Sequence, residues 1–105
     1  MHAISKIEND NTCRIKLFGK ISYQDSREMN KLTRRAVESR VSKLVVDFEE
    51  VFYIDTAAIG MILIMCAELK SIGAPMFLEN LRGQVARIFT VVNIRKYLAM
   101  DSLPS

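Results

Sequence analysis

The chain has 105 residues, room for one domain of ordinary size and too little for two. Half of them are hydrophobic and 26% charged, which excludes a disordered chain and allows a core that needs no disulfide or metal staple. The net charge of +3 is a small excess scattered over residues such as Arg34, Arg35, Arg82, Arg87, Arg95 and Lys96, the pattern of a solvated basic face and not of a nucleic-acid surface.

Ile4 and Ile7 give the first eight residues a weak alternation, read as an edge strand, and Asn9-Asp10-Asn11 reads as a turn. Thr12 to Phe18 follows as a strand with Cys13, Ile15 and Leu17 on one face and Arg14 and Lys16 on the other, and Gly19 is expected to stop it. Ser22 with Asp25, or Asp25 with Glu28, can open a helix as a capping box. Met29, Leu32, Ala36 and Val37 then recur at helical spacing. The run Leu44-Val45-Val46 within Lys43 to Phe48 is that of a strand buried on both faces.

Val51 to Ile54 leads into Asp55-Thr56, either of which can cap a helix reaching about Ser71, with Gly73 closing it. Pro75 opens a short strand, Met76 to Leu78. Val85, Ile88, Phe89 and Val92 make one face of a third helix from Arg82 to Val92, with Asn93 in the left-handed position after it. Lys96 to Met100 reads as a last short strand. The order ββαβαβαβ predicts an α/β domain with a mixed sheet, antiparallel in its first hairpin and parallel where helices cross over, the helices mainly on one face.

Cys13 and Cys66 lie far apart in no ligand cluster, and nothing in the pattern calls for a disulfide. The first residues lack the apolar run of a signal peptide, and the longest apolar stretch, Ala57 to Ala67, is too short to span a bilayer. A cytoplasmic protein with no membrane insertion is expected. The only histidine is His2, so a Ser–His or Cys–His nucleophile has no base inside the domain. No Gly-rich phosphate loop or metal-ligand spacing appears, and Glu49-Glu50 reads as a solvated loop. No enzyme, cofactor or metal is expected.

The segment Asp47 to Gly60, DFEEVFYIDTAAIG, resembles the signature of the STAS domain family: a buried strand, a short turn, Asp-Ser or Asp-Thr, then a helix start. The resemblance continues through Ile72-Gly73 and into Val85 to Leu98, and takes in nearly the whole chain as a single STAS domain, residues 1–105. It implies the mixed sheet just described. Its bacterial anti-sigma factor antagonist branch further implies phosphorylation of the residue after the signature Asp by an anti-sigma-type serine/threonine kinase, and dephosphorylation by a PP2C-like phosphatase.

By position, that residue is Thr56 and its neighbour Asp55. Ser22, with Asp25 nearby, stands where the family commonly presents an Asp near the phosphosite, and Ala58 replaces a family glycine. The resemblance thus implies a partner surface of Ser22, Asp25, Asp55, Thr56 and Ala57, from which an unphosphorylated protein sequesters a regulatory partner. The alternative is a non-phosphorylated STAS subunit of a scaffold or transporter-associated assembly. On residue pattern alone, Asp55-Thr56 is equally a plain helix cap. Along the same helix, Ile59, Ile62, Leu63, Cys66 and Leu69 make a core face, whereas Met61, Ile64 and Met65 fall towards the other side. They are either covered by neighbouring helices or form a Met-containing patch, centred on Met61 and Met65, for a partner or a second copy of the chain.

Overall fold

The structure, a computed structural model, describes residues 1–91. Its elements are β1 (His2–Ile7), β2 (Thr12–Ile21), a single 3-10 turn (Tyr23–Asp25), α1 (Ser26–Glu38), β3 (Lys43–Ile54), α2 (Thr56–Lys70), β4 (Met76–Glu79) and α3 (Gly83–Val91). The four strands form one sheet in the order β1-β2-β3-β4, antiparallel between β1 and β2 and parallel elsewhere. The parallel pairs follow from the crossovers through α1 and α2, since a tight turn joins only antiparallel strands. The expected strand at 96–100, and the expected end of the third helix, lie outside the described residues.

Alternation along the central strands decides which side is covered. Cys13, Ile15 and Leu17 of β2, and Leu44, Val46 and Phe48 of β3, enter one buried cluster with Met29, Leu32 and Ala36 of α1, Ile59, Ile62, Met65, Cys66 and Leu69 of α2, and Val85 and Phe89 of α3. All three helices therefore cover the same face. Phe48 and Phe89 meet edge to face at 5.6 Å, which seats α3 on β3. The other face carries Lys6, Arg14, Lys16, Val45 and Asp47, and no described helix lies on it. Two of its charges are paired, Arg14 with Glu8 at 3.1 Å and Glu79 at 3.5 Å, and Lys16 with Glu49 at 3.3 Å. Val45 is nonetheless buried there, so the unbroken run Leu44-Val45-Val46 is interior on both sides.

Two local expectations change. Gly19 does not end β2: the strand passes through it to Ile21 with φ +90°, a conformation a side chain would strain. Around that point β3 holds one extra residue twice, because Lys16 pairs with Asp47 but Phe18 with Glu50, and Gly19 with Val51 but Lys20 with Tyr53. These bulges carry β3 on to Ile54 and turn both Phe52 and Tyr53 to solvent, so Glu49-Glu50 lie in a strand and not in a loop. Both expected helix starts are present: Ser22 and Asp25 form a capping box that opens the 3-10 turn, with the Ser22 N–H donating to Asp25 Oδ2 at 2.9 Å, and Asp25 is the N-cap of α1, which begins at Ser26.

Candidate functional site

Where β3 runs into α2, the chain must leave an extended conformation and satisfy the first helical N–H groups, which have no partner inside the helix. Asp55 does this. Its backbone is extended, and its Oδ1 accepts the Ala58 N–H at 2.9 Å. The same carboxylate reaches further: Oδ2 accepts the Tyr23 N–H at 3.3 Å, and the Asp55 N–H donates to the Ile21 carbonyl at 3.2 Å. Asp55 is therefore a cap and also a strap between the start of α2 and the end of β2.

A second strap comes from α3. Gln84 Oε1 accepts the Ile54 N–H at 3.0 Å, and its Nε2 donates to the Ile54 carbonyl at 2.8 Å. The side-chain amide takes the place of a neighbouring strand at the end of β3, beyond the last β3–β4 pair at Asp47 and Glu79. Residues 54 and 55 are thus pinned from both sides, by Gln84 on one and by Ile21 and Tyr23 on the other.

Thr56, the next residue, is exposed, and its hydroxyl makes no hydrogen bond among the described residues. Ala57 beside it is exposed as well, whereas Ala58 is buried. The fold brings Ser22 and Asp25 to this place through the Tyr23–Asp55 contact, and both are half-buried. Besides holding the Ser22 N–H, Asp25 accepts from the Met1 ammonium at 3.3 Å through Oδ1.

Met61 and Met65 separate. Met65 is 1% exposed and belongs to the core, which corrects the expectation of a surface patch centred on the two methionines. Met61 is half-buried, and the large apolar side chain that does reach solvent on this helix is Ile64, 56% exposed. The helix packs against both α1 and the sheet, so a broader arc than one stripe is covered.

Sequence reasoning missed three residues around the β3–α2 junction. Tyr23 and Phe52, 67% and 71% exposed, are the most exposed aromatic side chains among the described residues and lie on either side of the Asp55 strap in the chain. Phe52 had a partial signal, an aromatic two residues past the charged pair Glu49-Glu50. Gln84 had none, since a glutamine on an amphipathic helix looks like any solvated residue.

The chemistry available here is that of a surface hydroxyl on a rigid support. The helix N-terminus offers N–H groups and a partial positive charge to an anion attached at Thr56. His2 lies on β1 against the Phe18 ring, centroids 5.5 Å apart. No group of three His, Cys, Asp or Glu side chains suited to a metal ion occurs among the described residues, and no described helix is long and apolar enough to cross a membrane.

A mixed four-stranded sheet with one helix-covered face, and a central helix whose capped mouth exposes a hydroxyl, places the chain in a definite class of small α/β domain. It belongs to the STAS domain family, whose model matches residues 3–102. Among solved structures, it is similar to the phosphorylated form of the Bacillus cell fate determinant SpoIIAA, with 17% identity, a TM-score of 0.73, and coverage of 92% of this chain and 88% of that one. It is similar also to an anti-sigma factor antagonist from Mycobacterium paratuberculosis, at 15% identity and TM-score 0.77, covering 93% of this chain and 82% of the other. A sulfate transporter family protein from Wolinella succinogenes shares the fold too, at 9% identity and TM-score 0.78, with 92% and 79% covered.

Proposed function

We propose that this protein is a phosphorylation-controlled regulatory binding protein of the anti-sigma factor antagonist type, a single cytoplasmic domain that performs no catalysis itself. With Thr56 unmodified it sequesters a kinase-type regulatory partner over the mouth of α2. That partner, or another serine/threonine kinase of anti-sigma type, phosphorylates Thr56, and the partner is released. A PP2C-like phosphatase restores the binding form. ATP belongs to the kinase.

The observation that supports this reading is the contrast at the junction: Thr56 is exposed with no hydrogen bond from its hydroxyl among the described residues, while Ile54 and Asp55 before it are strapped to α3, β2 and the 3-10 turn. A phosphate would add about −1.5 to −2 charge units near pH 7. The helix end favours that charge and the neighbouring Asp55 carboxylate opposes it, so the fold gains or loses little. A docked partner, by contrast, meets a dianion it must desolvate. A loss of about 3 kcal/mol corresponds to more than a hundredfold in affinity.

The test is titration of the protein against the serine kinase encoded nearest to its gene. Wild type and Thr56→Ala should bind, whereas Thr56→Glu and the phosphoprotein should bind at least tenfold more weakly. Equal affinity for all four forms would rule the switch out. The second reading, a STAS subunit of a transporter-associated or scaffold assembly, draws on the shared fold with the transporter family protein. It predicts that Thr56 carries no phosphate in the cell.

A further inference from the structure

Beyond its pair with β4 at Asp47 and Glu79, β3 runs on to Ile54. A strand edge left bare there would present N–H and C=O groups in need of partners. The chain after β4 meets that edge with side chains at alternate positions. Asn80 Nδ2 donates to Asp47 Oδ1 at 2.8 Å, and the same oxygen accepts the Glu49 N–H at 2.9 Å. Arg82 Nη2 donates to the Glu49 carbonyl at 2.7 Å. Gln84 then takes both backbone groups of Ile54, accepting its N–H at 3.0 Å and donating to its carbonyl at 2.8 Å.

Of these three side chains, Gln84 has the firmest support and the most consequential partner. Val85 next to it and Phe89 one turn on are 1% and 2% exposed, and the Phe48–Phe89 contact fixes their helix to β3. The peptide that links Ile54 to Asp55 is gripped at both ends. Its carbonyl accepts from Gln84, and its N–H donates to the Ile21 carbonyl at 3.2 Å. The plane of that peptide sets the direction in which the chain enters α2, and Thr56 is the first residue of that helix.

We propose that Gln84 is a positioning residue for phosphoryl transfer to Thr56, holding the Ile54–Asp55 peptide so that the hydroxyl meets the kinase at one angle. The inference rests on the reading of Thr56 as the phosphoacceptor. In the transfer, the Thr56 oxygen bonds to the γ-phosphorus of ATP as the bond from that phosphorus to the β-phosphate oxygen breaks. ADP leaves, and the hydroxyl proton passes to a base of the kinase. The attacking and leaving oxygens must lie roughly in line, and a misplacement of about 1 Å costs on the order of a hundredfold in rate. Gln84 takes no part in that chemistry and acts only through the backbone of Ile54.

Steady-state phosphorylation of the full chain by the serine kinase encoded nearest to its gene, at saturating ATP, tests this. Gln84→Met loses both bonds to Ile54. Its kcat should fall about tenfold or more, with KM for the protein within about threefold of wild type, because the docking surface is unchanged. Gln84→Glu keeps the acceptor for the Ile54 N–H and loses the donor. It should lie between the other two, and it carries the test if Gln84→Met does not fold. Leu32→Ala, a truncation in the core under α1, controls for lost stability. Its kcat should stay within about twofold of wild type at a temperature where circular dichroism shows every variant folded. An unchanged kcat in both Gln84 variants, a loss confined to KM, or an equal fall in Leu32→Ala would overturn the proposal and leave the switch standing. A wild type that takes no phosphate on Thr56 would overturn the switch and this inference together.

Discussion

Asp55 and Thr56 are neighbours with opposite duties. Asp55 engages three backbone groups and Thr56 offers an unengaged hydroxyl, so substitutions at the two should part cleanly. Asp55→Ala removes the cap and the strap to Tyr23, and should lower stability by about 1–2 kcal/mol, with Asp55→Asn recovering most of it; urea unfolding measures both. Thr56→Ala should fall within about 0.5 kcal/mol of wild type in the same assay. A loss as large as that of Asp55→Ala would mean that Thr56 is structural. The cysteines supply a second residue-scale test. Burial pushes the thiols of Cys13 and Cys66 above their usual range, and the Ser5 hydroxyl 3.7 Å from Cys13 Sγ only partly offsets it there. Both should resist iodoacetamide at neutral pH in the folded protein and react once it is unfolded, since the thiolate is the reacting form. Mass spectrometry of the labelled chain reports the outcome. At this scale the Asp55-Thr56 pair was legible because a cap has a local signature. The Gln84 strap was not, since its meaning depends on a strand end some thirty residues earlier being carried to it by the fold.

Along α2, adjacent side chains have opposite environments. Met65 is 1% exposed and Ile64 56%. Met65→Ala should cost about 2–5 kcal/mol as a core truncation, and Ile64→Ala well under 1 kcal/mol in the monomer, by denaturant unfolding at low protein concentration. Gly60 sits inside the same helix without a positive φ, and a Cβ placed there meets nothing within 4 Å. Gly60→Ala should therefore raise stability by roughly 0.8–1 kcal/mol through helix propensity. If stability instead fell, some contact absent from the described residues would need that position bare. For α3, Gln84→Met removes both hydrogen bonds to Ile54 and should cost about 1–3 kcal/mol, with amide exchange quickened first at Ile54. Periodicity located α1 well because its polar and apolar faces are distinct. It could not orient α2, whose residues are apolar in nearly every direction, so the environments of Met61, Ile64 and Met65 had to wait for the packing. β3 was underestimated for another reason: its two bulges interrupt the alternation by which a strand is recognised.

Over the whole molecule, the architecture leaves two different free surfaces. The side of the sheet that no described helix covers carries the paired Arg14 and Lys16 beside the exposed Ile4, whereas the β3–α2 junction and the flank of α2 present an exposed hydroxyl, exposed aromatics and the exposed Ile64. The alternation of strands and helices, and the single apolar face of β2, were enough to anticipate a mixed sheet covered on one side, because burying one face of each element admits few other solutions. The proposed switch was not readable in the same way, since a cap and a phosphoacceptor use the same residue types. A charge added at Thr56 should leave that architecture intact: Thr56→Glu should match wild type in its circular dichroism spectrum and unfold within about 1 kcal/mol of it. The direct measurement is the intact mass of the protein recovered from its own cells under several growth conditions, with any modification mapped by peptide fragmentation. A single phosphate on Thr56, absent from Thr56→Ala, is the expected result. A chain that carries no phosphate in any condition, or carries it only elsewhere, would contradict the switch.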